Sequence, residues 1–136
     1  MPLYQVNSRQ TGAQQSITTT FKTVIAITSA TGALRRGKCM EIIYGADGAP
    51  NATDCQIVYD VSRQTAAGTS TVATPTPVDP NDVAAGSIAN INFSVEGTVT
   101  ASSSVWESSL NQRASQRTHR LAMHVLHCFF ANCYVD

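Results

Sequence analysis

All three histidines of this chain and two of its four cysteines fall within residues 119–136, in "HRLAMHVLHCFFANCYVD". Inside that stretch, "HVLHCFFANC" offers His124, His127, Cys128 and Cys133, imidazoles and thiols of the kinds that zinc takes as ligands. His124 and Cys128 share one face at i, i+4 on a helix and also on a strand, where His127 stands opposite. The spacing argues against a metal centre. Adjacent His127 and Cys128 diverge on a strand, and structural zinc sites usually separate two ligand pairs by a longer stretch. An apolar end in which Leu121, Val125 and Phe129 pack while the histidines face outward fits the pattern better. No metal or cofactor is expected.

Other chemistry finds no support. Ser102–Ser104 would need a base at hydrogen-bond distance to act as nucleophiles, and none is signalled. There is no Gly-rich phosphate loop, nucleophile elbow or zincin helix. No catalytic residue is assigned, and an enzyme is not expected.

The elements around these residues read as strands. "TTTFKTVIAIT" (Thr18–Thr28) is rich in β-branched residues and carries an aromatic, which suits a pleated, half-buried surface. "KCMEIIYG" and "CQIVYDVSR" form two further strands, joined by "ADGAPNATD" with its Asp47-Gly48 turn signal, so a hairpin with a long loop is expected. "INFSVEGTVTASSSVWESSL" returns to strands. Thr74-Pro75 and Thr76-Pro77 force an extended chain, because proline pushes the preceding residue out of the helical region. Asp79 as N-cap and Pro80 at the first helical position then predict a short helix that Gly86 ends. The sum is all-β: a single-domain β-sandwich or barrel of about six strands, with long loops and one short helix. Residues 1–16 read as an N-terminal arm or edge strand and 17–136 as the domain, with the Pro-rich loop and short helix near 68–90.

Bulk composition narrows the partners. The chain has 136 residues, 43% hydrophobic, 13% charged and zero formal net charge, enough for one core. A neutral surface gives no pull on a phosphate backbone, so direct nucleic-acid binding is not expected. The longest apolar runs fall far short of the ~20 residues that a bilayer-spanning helix needs. No basic stretch followed by an apolar one opens the chain, so synthesis and folding in a cytoplasm are expected, with reduced thiols. Cys39 and Cys55 flank the expected hairpin and are the pair to test for a disulfide. "LRRGK" (Leu34–Lys38), the basic cluster, reads either as a solvated turn or, through Arg35 and Arg36, as a docking point for an acidic neighbour. Leu3, Tyr4 and Val6 are the apolar anchors of the arm, placed to add a strand to a neighbour's sheet edge. Pro75 and Pro77 stiffen a nearly uncharged segment that costs little entropy to order against a partner.

The stretches "LRRGKCMEIIYGADGAPNATDCQIVYDVSRQTAAGTSTVATPTPVDP" and "VEGTVTASSSVWESSLNQRASQR" resemble a group of small virion structural proteins of tailed bacteriophages. The matching elements are Tyr44–Pro50, Arg63–Thr69, Thr74–Pro80 and Asn111–Ala114, within residues 20 to 117. The resemblance implies a β-rich subunit of the phage particle, of the capsid decoration or cement kind. It would sit on the capsid exterior, bind the major capsid protein, and assemble as a homotrimer at a local three-fold axis. It brings no catalytic residues. A head–tail connector or minor tail protein is the alternative it leaves open. After Asn111–Ala114 the family continues with an aromatic strand and a polar tail, whereas from Arg117 this chain has either a replacement apolar strand or a frameshifted end, whose Phe and Cys side chains are a candidate subunit contact if they lie outside the core.

Overall fold

The computed structural model describes residues 2–10, 12, 15–16, 20–29, 37–46, 49, 52–100, 102–114, 117–125 and 129–135, the last two stretches as backbone alone. The chain is an all-β single domain. Its main sheet contains β2 (Lys22–Ser29), β4 (Gln56–Ser62), β6 (Thr69–Ala73), β8 (Ser87–Val95), β10 (Trp106–Asn111) and β12 (Phe129–Val135), in the order β10-β4-β12-β2-β8-β6. Every pairing in that sheet is antiparallel. Among the described residues there are also three two-stranded ribbons: β1 (Tyr4–Gln5) with β7 (Thr76–Pro77), β3 (Gly37–Tyr44) with β11 (Arg117–Val125), and β5 (Gln64–Ala66) with β9 (Thr98–Val99).

Alternation along the strands decides where the core lies. Strand register puts Ile57, Tyr59 and Val61 of β4 on the same face as Leu110 of β10, and Ile25 of β2 on the same face as Ala89 and Ile91 of β8. Ile91 and Ala89 are fully buried, and Val61 and Leu110 nearly so. At the β4/β10 end this face is covered by the tip of β3. The Tyr44 ring lies 4.7 Å from Tyr59 and edge-on to Trp106 at 5.4 Å, and its hydroxyl shares a 2.8 Å hydrogen bond with Ser108 Oγ. At the β6/β8 end the same face is covered by the N-terminal arm through Val6. The result is sandwich-like: one broad sheet, with smaller pieces packed on it.

Two sequence expectations are corrected. β3 and β4 do not form a hairpin; β3 pairs with β11, and β4 lies between β10 and β12. The burial patterns explain why. β4 is buried at every position from Ile57 to Ser62 and so needs an interior place with both faces covered. β3 is exposed at five of its eight positions, which suits a covering ribbon. The apolar demand of β4 outweighs the local turn signal. The helix expected after Asp79 is also absent, since the described residues contain no helix. Asp79 still acts as a cap: its Oδ1 accepts from the Asn81 backbone N–H at 2.9 Å, and Asp82 N–H donates to the Asp79 carbonyl at 3.0 Å. With Gly86 so close, a single turn closes and is not propagated, because the first helical turn is unfavourable unless further turns follow.

Cys39 and Cys55 are both free thiols. Burial pushes the Cys39 thiol above its usual range. In a Cys128→Ser/Cys133→Ser chain, adding dithiothreitol should therefore leave the melting temperature unchanged, as checked by differential scanning fluorimetry. Ile91→Ala should lower stability by about 2–5 kcal/mol in urea unfolding, because a large side chain with no exposure is removed from a packed sheet face. A chain ending at Ala114 lacks β11 and β12 and should show no cooperative unfolding transition in the same assay.

Candidate functional site

The arm and the Pro-rich loop meet. Each is short and unable to fold by itself, and each supplies what the other lacks. Prolines keep residues 74–77 extended but remove backbone donors, so the segment suits only a ribbon at the margin of a fold. The arm fills that place: Tyr4 pairs with Pro77 and Gln5 with Thr76. Val78 N–H donates to the Leu3 carbonyl at 2.9 Å, extending the ladder by one bond.

Side chains lock the clip at both ends. The Tyr4 hydroxyl donates to the Val83 carbonyl at 2.9 Å, and Gln10 Nε2 donates to the Thr74 carbonyl at 2.7 Å. Val6 packs against Ala73, Ala89 and Ile91. Further along the arm, Gln15 Oε1 accepts from the Phe93 N–H at 2.9 Å. That bond lies beside Asn92, whose φ of 53° marks an irregularity in β8.

Five of the seven residues singled out in the sequence, Leu3, Tyr4, Val6, Pro75 and Pro77, therefore belong to one structure. Their exposure differs. Leu3 is 53% exposed, Tyr4, Val6 and Pro77 are half-buried, and Pro75 is buried. Pro75 is thus a brace of the clip rather than part of its outer surface. Arg35 and Arg36 lie outside the described residues. Sequence reasoning missed Val78 and Val83, which are 53% and 72% exposed. Their signal was an isolated apolar residue on each side of a turn that the sequence assigned to a helix. Leu3 and Val78, joined across the ladder, and Val83, whose carbonyl Tyr4 holds, are each exposed apolar residues of the clip. Fully burying each such aliphatic side chain against a partner stabilises by about 1.5–3 kcal/mol.

Elsewhere in the fold, a small cleft of about 60 Å³ is lined by Ala26, Gln64, Ala66, Asn90 and Phe93 among others, and a more open one of about 360 Å³ by Asp54, Cys55, Gln56 and Asn111. No group of three or more His, Cys, Asp and Glu able to hold a metal occurs among the described residues. The backbone places His124 opposite Lys38 in the β3–β11 ribbon and Cys133 opposite Tyr59 in the main sheet. His127 and Cys128 lie outside the described residues. No family model, curated protein or solved structure matches this chain.

Tyr4→Phe removes the hydroxyl that holds Val83 and should loosen the clip by about 0.5–1.5 kcal/mol. Faster amide exchange across residues 76–86, with the global unfolding midpoint little changed, is the expected readout.

Proposed function

We propose that this chain is a capsid decoration, or cement, protein of a tailed bacteriophage, bound to the capsid exterior and bridging neighbouring major capsid subunits. The observation that carries the reading is the exposure of three large apolar side chains, Leu3, Val78 and Val83, on the hydrogen-bonded clip. Exposed apolar side chains on a hydrogen-bonded support are what a repeated surface contact requires. The resemblance of residues 20–117 to small virion proteins supplies the context, and the low charge of the chain suits association over isolation. Function is then mechanical. Many copies each bury a modest interface, and multivalency turns weak contacts into resistance against the pressure of packaged DNA.

The clip suits this role because its ordering is complete before contact. A partner meets a surface already fixed by the β1–β7 ladder and the Tyr4 and Gln10 hydrogen bonds, so little conformational entropy is lost on binding.

Quantitative mass spectrometry of purified virions tests the reading. A copy number comparable to that of the major capsid protein is expected, whereas a few per cent of it would move the chain to the connector or tail. Absence from particles would overturn the virion reading altogether. Val83→Glu, at a position exposed enough to leave the fold intact, should reduce capsid binding at least tenfold in a co-sedimentation assay.

A further inference from the structure

The chain contains one Asp-Pro pair, Asp79-Pro80, and it lies in the turn that follows the β1–β7 ladder of the clip. Asp79, Pro80 and Asn81 are all exposed to water. Proline changes the chemistry of the bond before it. A backbone N–H would let the preceding aspartate close a succinimide, and Pro80 has none. The carboxylate is left with attack on its own carbonyl carbon, with the proline nitrogen as leaving group.

The turn sets out the parts that this route needs. Asp79 Oδ1 accepts from the Asn81 N–H at 2.9 Å and from Asn81 Nδ2 at 3.2 Å, which fixes the carboxylate on the turn. Among the described residues nothing bonds Oδ2, so one oxygen keeps its lone pairs for attack. The Asp79 carbonyl oxygen accepts from the Asp82 N–H at 3.0 Å, a donor placed where negative charge develops when that carbon becomes tetrahedral. Both flanks are pinned to the arm. Val78 N–H donates to the Leu3 carbonyl at 2.9 Å, and the Tyr4 hydroxyl donates to the Val83 carbonyl at 2.9 Å. Pinning both sides keeps the reacting groups together, which is how proximity lowers a barrier. Asp82 and Tyr4 are the other titratable side chains on the turn and on the facing arm residues 3–6.

We propose that Asp79-Pro80 is a self-cleavage site, at which the native turn promotes scission of the chain in mild acid. Oδ2 bonds to the Asp79 carbonyl carbon, the carbon–nitrogen bond breaks, and the Pro80 nitrogen leaves with a proton from solvent. The product is a cyclic anhydride whose Oδ1 keeps its Asn81 donors. One water then opens it to the side-chain and α-carboxyls, with no oxidant, reductant or cofactor. The two pieces stay together, because the arm holds both new ends and β6 pairs with β8 across the cut. The inference holds or fails independently of capsid decoration.

Intact-mass spectrometry of the full chain kept in mildly acidic buffer is the test. Fragments 1–79 and 80–136 are expected, together heavier than the parent by one water. They should form about tenfold faster from the folded chain than from the chain unfolded in urea at the same pH, because unfolding scatters the donors. Asp79→Ser keeps a capping oxygen but has no carboxylate, and should abolish cleavage. Tyr4→Phe leaves nucleophile and bond untouched and should slow cleavage severalfold. In water enriched in heavy oxygen, label should enter both the side-chain and the α-carboxyl of Asp79, since either carbonyl of an anhydride takes up water. A native chain that stays intact, a folded chain no faster than the unfolded one, cleavage indifferent to Asp79→Ser, or label confined to the α-carboxyl would each overturn the proposal.

Discussion

The fold depends on the ladder that β12 makes with β4 on one side and β2 on the other. Phe130 to Val135 pair with Ser62 to Ile57, and Phe129 to Cys133 pair with Ile27 to Lys22. Take that strand away and the main sheet separates into β10–β4 and β2–β8–β6, each with a raw inner edge. Unpaired strand edges expose backbone groups to water or to other chains, so neither half is a stable unit by itself. No two neighbours in the sheet are consecutive in the chain. Every ladder therefore closes a long loop, a topology that folds slowly because chain entropy is lost before the contacts form.

Around that sheet, small and polar residues serve close packing. In "QTAAGTS" the glycine has a specific reason: a Cβ at Gly68 would overlap the Val95 carbonyl oxygen, so only glycine lets the turn before β6 pass the end of β8. Gly97 has the same role on the other side, where a side chain would strike Gln64 and the Ala66 carbonyl. Several buried polar groups are paired in turn. Gln64 Nε2 donates to Thr23 Oγ1 at 3.3 Å, Thr23 N–H donates to Glu96 Oε2 at 2.8 Å, and Lys22 lies 3.6 Å from Glu96 Oε1. The Asp60 carboxylate, buried on β4, accepts from the Ser104 hydroxyl. Pairing of this kind offsets the desolvation cost of placing polar groups inside a sheet protein. Ser103 and Ser104 thus both bond to β4 and the residue that follows it: Ser104 to Asp60, and Ser103 Oγ to the Arg63 carbonyl at 3.1 Å.

The arm and the Pro-rich loop show how two weak segments become one firm surface. Neither has a hydrophobic pattern that predicts a partner within the chain. Their ladder spans two residues on each side, too little to persist in isolation. It is held because Val6 reaches the Ala73–Ala89–Ile91 cluster and because Tyr4 and Gln10 satisfy loop carbonyls.

The sequence by itself determined that this is one all-β domain. Segments rich in β-branched residues, as in "TTTFKTVIAIT", set at short spacing between Gly, Pro and Asp turn signals, suit a sheet. It also marked the segments outside the core, because proline and small residues cannot supply packing. The sequence did not reveal strand order, since alternation says which face is buried and not which strand lies alongside. β3 and β4 read as a hairpin from their turn signal, but only the tertiary structure could weigh the two-sided burial of β4 against it. The cap at Asp79 was legible, while its outcome was not: a capping side chain stabilises a turn equally well whether or not a helix follows. The apolar surface at Val78 and Val83 arose last. Exposure is a property of what the rest of the chain leaves uncovered, and no local pattern records it.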